Sequence, residues 1–121
     1  MSKKVLIIDD EPDLTRVVQV RLAANGYEVI SAEKGEEGLI KAETECPNLI
    51  LLDVMMPEMH GLDVLRKLKG NPKTKAMPVV MLTAKDDKES ISKARSLGAQ
   101  DYITKPFNSE ALLGAVKKYL V

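Results

Sequence analysis

Four short apolar runs in this 121-residue chain each end on a polar residue, and that pattern constrains the fold more than any other feature. Val5-Leu6-Ile7-Ile8 runs into Asp9 and Asp10, and Leu49-Ile50-Leu51-Leu52 into Asp53. Val79-Val80-Met81-Leu82 runs into Thr83, and Tyr102-Ile103-Thr104 into Lys105. Continuous apolar runs of this length fit strands buried on both faces of a parallel sheet. Strand-like stretches fall at 4–9, 27–31, 48–53, 77–83 and 100–105, and helical patterns alternate with them. Five β–α units predict an α/β, doubly wound five-stranded parallel sheet with helices on both faces and right-handed crossovers. If the four runs are neighbours, their C-terminal ends share one edge. Three carboxylates, a hydroxyl and an ammonium then meet in the crevice where such sheets bind ligands.

The helical patterns carry their own start and stop signals. Pro12 suits a first-turn position, Leu14, Val17, Val18 and Leu22 share a face, and Asn25-Gly26 is the stop. The second helix, Gly35–Glu45, is expected to bury Leu39, Ala42 and, if it continues, Cys46, with Pro47 ending it. The third, 62–69, precedes Gly70-Asn71-Pro72. The fourth opens with Asp86 and Glu89 at capping-box spacing and ends at Leu97-Gly98. The fifth starts near Asn108-Ser109 and places Leu112, Ala115, Val116 and Tyr119 on one face. Pro78 falls early in its strand, where a missing donor is best tolerated.

The length suits one domain over residues 1–121, and the last helical pattern leaves no residues for an output domain. Formal net charge is zero, so the whole-molecule field favours neither nucleic acid nor an anionic membrane. The single cysteine, Cys46, excludes an internal disulfide and a cysteine metal cluster, and is expected to be buried filler. No stretch resembles a signal peptide or a membrane span, so a cytoplasmic protein is expected.

Electrostatics decides what the crevice needs. Two unit charges about 4 Å apart, at an effective dielectric near 20, repel by about 4 kcal/mol. Three carboxylates would consume much of a typical stability of about 5–15 kcal/mol. The cluster therefore needs a counter-charge or raised pKa values. Asp oxygens suit Mg²⁺, with Mn²⁺ as an alternative. Glu11 is assigned instead to the cap of the first helix, whose N-terminus favours anions. Asp53 can serve as a nucleophile toward phosphorus, giving an acyl phosphate. Lys105 can neutralise equatorial oxygens, and Thr83 can donate its hydroxyl to one. Each residue alone has a plain explanation as a turn former, a strand former or a solvated lysine. All of them at strand ends point to phosphoryl chemistry.

At these residues the chain resembles the receiver domain of two-component response regulators, of the chemotaxis-regulator-like kind. The matching stretches are Val5 to Pro12, Leu51 to Pro57, Met81 to Ala84 and Gly98 to Phe107, and the likeness covers essentially the full length. The resemblance implies the flavodoxin-like strand order 2-1-3-4-5. It implies that Asp53 accepts a phosphoryl group from a sensor histidine kinase or a histidine phosphotransfer protein. By the same likeness Asp10 is a direct Mg²⁺ ligand, Asp9 mainly an outer-sphere one, and the Met55 backbone carbonyl a third protein ligand beside Asp53. Lys105 contacts the phosphoryl group, and its bond to Pro106 is cis, a state found in only about 5% of X–Pro bonds. Thr83 and Tyr102 form the switch, Tyr102 turning inward as Thr83 moves. The fourth helix, fifth strand and fifth helix form the face for a downstream protein target. The domain would catalyse only its own phosphorylation and dephosphorylation, without direct nucleic-acid or membrane contact.

Some residues depart from the family pattern. His60 stands where an Asp is usual and reads as a solvated loop residue, and Gln100 where an acid is common. Met55 and Lys85 sit two residues after Asp53 and Thr83, and an apolar Met55 side chain is expected to hinder the water that removes the phosphoryl group. Three other readings compete. A phosphohydrolase with an Asp nucleophile needs a second acid two residues on, where Met55 stands. A nucleotide or flavin binder needs glycines or hydroxyls where Asp9-Asp10-Glu11-Pro12 stands. An inactive pseudo-receiver interaction module usually lacks part of the acidic and lysine set, which this chain retains.

Overall fold

A computed structural model describes residues 3–54, 60–84 and 87–120. In chain order these form β1 (Lys4–Ile8), α1 (Pro12–Ala24), β2 (Glu28–Ala32), α2 (Gly35–Glu45) and β3 (Leu49–Asp53), followed by α3 (Gly61–Gly70), β4 (Val79–Ala84), α4 (Lys88–Ser96), β5 (Asp101–Lys105) and α5 (Ser109–Tyr119). The strands form one sheet in the order β2-β1-β3-β4-β5, and every pairing is parallel.

The apolar runs are continuous because both sheet faces are covered. Successive side chains alternate between two cores. Leu6, Ile8, Ile50, Leu52, Val79 and Met81 pack with Ala42 of α2, Val64, Leu65 and Leu68 of α3, and Ala94 of α4. Val5, Ile7, Leu49, Leu51, Val80, Leu82 and Ile103 pack with Val18 and Leu22 of α1 and with Leu112 and Val116 of α5. α1 and α5 thus cover one face, and α2, α3 and α4 the other. The parallel register aligns the strand ends: Ile8 pairs with Leu52, Asp53 with Leu82, Thr83 with Thr104 and Ala84 with Lys105.

Several local expectations need correction. Val17 is 52% exposed, and Thr15 takes its place beside Val18 and Leu22 on the buried stripe of α1. Cys46 is exposed, not buried. α2 stops at Glu45, and Cys46 adopts a left-handed conformation (φ 50°) that turns its side chain away from the core. Pro78 precedes β4, and its carbonyl accepts the Ile50 N–H at 3.0 Å. The N-cap of α4 is Asp87, whose side chain accepts the Ser90 N–H at 3.1 Å. Asp86, expected at the start of that helix, lies outside the described residues.

Candidate functional site

Three strand ends converge on one ammonium. Asp9 follows β1, Asp53 is the last residue of β3, and Lys105 is the last residue of β5. Lys105 Nζ lies 2.9 Å from Asp9 Oδ2, 3.0 Å from Glu11 Oε1 and 3.3 Å from Asp53 Oδ1. Asp9 is fully buried and Asp53 nearly so. Burial disfavours the charged lysine, but hydrogen bonds to Asp9 and Glu11 and the field of Asp53 outweigh it. They hold the ammonium above the usual lysine range.

The carboxylates of Asp9, Asp10 and Asp53 each offer an oxygen, and these oxygens all lie within 4.8 Å of one another. Asp10 is the half-buried member. Asp9 has both oxygens engaged: Oδ2 meets Lys105, and Oδ1 accepts the Glu11 N–H at 2.9 Å. One lysine cannot balance three clustered carboxylates. An all-oxygen donor set of this span fits a hard divalent cation such as Mg²⁺. Met55, the expected carbonyl ligand, lies outside the described residues, as does Lys85.

Thr83 is buried near the end of β4, with its hydroxyl 3.5 Å from the Ala84 carbonyl. Tyr102 is half-buried in β5, and the Lys105–Pro106 peptide bond is cis. An open groove runs along β5 and α5, lined by Asp101, Tyr102, Phe107, Glu110, Ala111 and Lys118 among others.

Two residues play parts that the sequence reading did not assign. Glu11 occupies the N-cap position of α1, but its side chain makes no capping hydrogen bond and turns to Lys105 instead. His60 is no loop bystander. It caps α3, Nδ1 accepting the Leu62 N–H at 3.2 Å. His is not among the favoured capping residues, so no propensity signalled it. The next residue, Gly61, lies against the acid-bearing strand end, where a Cβ would come within 2.0 Å of the Asp53 carbonyl oxygen. The N–H of Gly61 donates to the Val54 carbonyl at 2.8 Å. The start of α3 is thus fixed directly to the backbone that carries Asp53.

Comparison with known proteins agrees with this fold. The response regulator receiver domain family matches residues 5–117. The alkaline phosphatase synthesis transcriptional regulatory protein PhoP of Bacillus subtilis is 46% identical over 121 residues, covering 99% of this chain and 49% of that protein. The response regulator PleD of Caulobacter vibrioides is 40% identical over 117 residues, 97% of this chain and 26% of its own length. Among solved structures, the chemotaxis protein CheY4 of Vibrio cholerae superposes with a TM-score of 0.93 at 33% identity, covering 99% of this chain and 100% of that one. The chain belongs to the response regulator receiver domain family, and it is a receiver domain of two-component signalling. It spans about half the length of the first curated relatives it matches. Among the described residues, no helix is long and apolar enough to cross a membrane.

Proposed function

We propose that Asp53 is the phosphoacceptor of this receiver, taking its phosphoryl group from a phosphohistidine on a sensor histidine kinase or a histidine phosphotransfer protein. The observation that carries this reading is the position of Lys105, whose ammonium lies 3.3 Å from Asp53 and 2.9 Å from Asp9 at the ends of three parallel strands. An Asp53 carboxylate oxygen forms the new P–O bond as the donor's P–N bond breaks and the electron pair leaves on the imidazole nitrogen. Asp10 and Asp53 would hold Mg²⁺ directly, with Asp9 in the outer sphere and the Met55 carbonyl completing the protein ligands. The engaged oxygens of Asp9 support its outer-sphere role. Bound there, Mg²⁺ supplies positive charge against the oxygens of the transferring group.

Lys105 leaves its carboxylate partners for a phosphoryl oxygen, and the Thr83 hydroxyl donates to another. Phosphorylation adds about −1.5 to −2 of charge and strong acceptor oxygens. The contacts that Thr83 and Lys105 then gain bias the adjoining loops and α4, with Tyr102 turning inward behind Thr83. A coupling of about 1–3 kcal/mol is typical of such a device. The downstream protein target docks on the face of α4, β5 and α5, where the groove lies. Residues 1–121 thus work as a cytoplasmic phosphoacceptor domain that turns over no external substrate.

Acetyl phosphate with Mg²⁺ tests the assignment. Intact-mass measurement should show one phosphoryl group on the wild type and none on Asp53→Ala. An adduct that persists in Asp53→Ala contradicts it, as does steady release of inorganic phosphate from many equivalents of a phosphoester.

A further inference from the structure

Arg95 lies in the last turn of α4, and its guanidinium carbon is 5.4 Å from the centre of the Tyr102 ring. The ring packs against the core beneath α2, α3 and α4, whereas Arg95 is exposed, so the cation covers the ring from the solvent side. Among the described residues Arg95 makes no salt bridge to a carboxylate. Its charge is therefore directed at the ring, whose negative face attracts it. No described residue hydrogen-bonds the Tyr102 hydroxyl, which leaves packing and this cation to set the ring's position.

We propose that Arg95 is a positioning residue of the switch: it holds the Tyr102 ring at the seam between α4 and β5 in the unphosphorylated protein. This inference rests on the reading of Tyr102 as the aromatic residue that turns toward Thr83. The two sites are close in the sheet, since Tyr102 pairs with Met81 and Thr104 with Thr83. A ring that turns toward Thr83 leaves the guanidinium behind, so the contact opposes the turn. Because Arg95 belongs to α4, the contact also ties the position of that helix to the position of the ring. At an exposed site such a contact shifts a two-state population about two- to fivefold.

Fluorine NMR of protein carrying meta-fluorotyrosine reads the ring directly. The chain has 3 tyrosines, so loss of one signal in Tyr102→Phe and of another in Tyr27→Phe assigns both residues, and Tyr27 serves as an internal control. Beryllofluoride with Mg²⁺ stands in for the phosphoryl group. The wild-type Tyr102 signal should move when it is added. Without it, the Arg95→Ala signal should already lie part-way toward the liganded position, a two- to fivefold change in population, while Tyr27 stays in place. Arg95→Lys, which keeps a cation, should recover part of the shift. An unliganded Arg95→Ala signal that coincides with wild type, in proteins that both respond to beryllofluoride, overturns the inference alone. A shift shared by Tyr27 also overturns it, because it reports a general structural change. A wild-type Tyr102 signal that ignores beryllofluoride overturns the switch reading and the inference together.

Discussion

Lys105 Nζ and Asp9 Oδ2 are 2.9 Å apart although 96 residues separate them in sequence. The parallel register creates the meeting: β1 and β5 end on the same edge, and β3 and β4 between them end beside it. The contact belongs to the fold and, under the proposed function, to the chemistry as well, because Lys105 offsets the repulsion among the acids around it.

Lys105→Met should therefore lower the stability of the metal-free protein by about 1–3 kcal/mol, between the values for exposed and buried pairs. Urea unfolding in a chelator measures this. Mg²⁺ should restore more stability to the variant than to the wild type, because it relieves a larger repulsion. The sign with pH follows from the raised pKa of Lys105. The contribution is complete below the ordinary lysine value of about 10.4 and is lost as pH rises through the higher folded value. The difference between wild type and variant should stay constant across neutral pH and shrink only in strong alkali.

Gly61→Ala should be costly out of proportion to one methyl group. The added carbon meets backbone atoms, the Asp53 oxygen at 2.0 Å and the Val54 Cα at 2.7 Å, and neither can rotate away. Destabilisation of about 1–3 kcal/mol is expected from overpacking, together with slower phosphorylation by acetyl phosphate. A variant with wild-type stability and rate would show that α3 is not fixed to the Asp53 backbone.

At the other end of β5, Asp101 joins the strand to α5. Its carboxylate accepts the Tyr102 N–H at 2.9 Å and the Tyr119 hydroxyl at 3.0 Å, and pairs with Lys118 at 3.3 Å. Burial raises its pKa, but these partners together hold it below the ordinary 3.8. A depressed carboxylate stabilises the fold above its unfolded value, and that contribution disappears as pH falls through the folded one. Asp101→Ala should cost about 1 kcal/mol at neutral pH from the lost hydrogen bonds, and the gap to wild type should narrow below pH of about 4. Thermal unfolding across that range reads it out, and a gap that widens in acid contradicts the assignment.

The strand ends were legible because a continuous apolar run with a polar terminus encodes both a doubly covered strand and the edge at which it stops. The register did the rest, bringing Asp9, Asp53 and Lys105 together. Strand order was not in the pattern, since five alternating units are compatible with several windings, and it came from the family likeness. Side-chain choices at helix starts were also hidden. Glu11 at an N-cap reads as a cap, yet a lysine from the far end of the chain draws it away. Cys46 reads as a continuation of the α2 stripe, yet one left-handed residue exposes it. Val17 is apolar, but α1 rests on a narrower stripe than its composition implied.

The direct test of the site is Mg²⁺ binding, followed by titration calorimetry on the wild type, Asp10→Asn and Asp53→Asn. Oxygens from Asp9, Asp10 and Asp53 within 4.8 Å of one another should take up one ion in the wild type. Each substitution should weaken that binding about tenfold or more, because charge and a hard oxygen ligand are lost together. Variants that bind Mg²⁺ as tightly as the wild type would contradict a metal centre built on these acids.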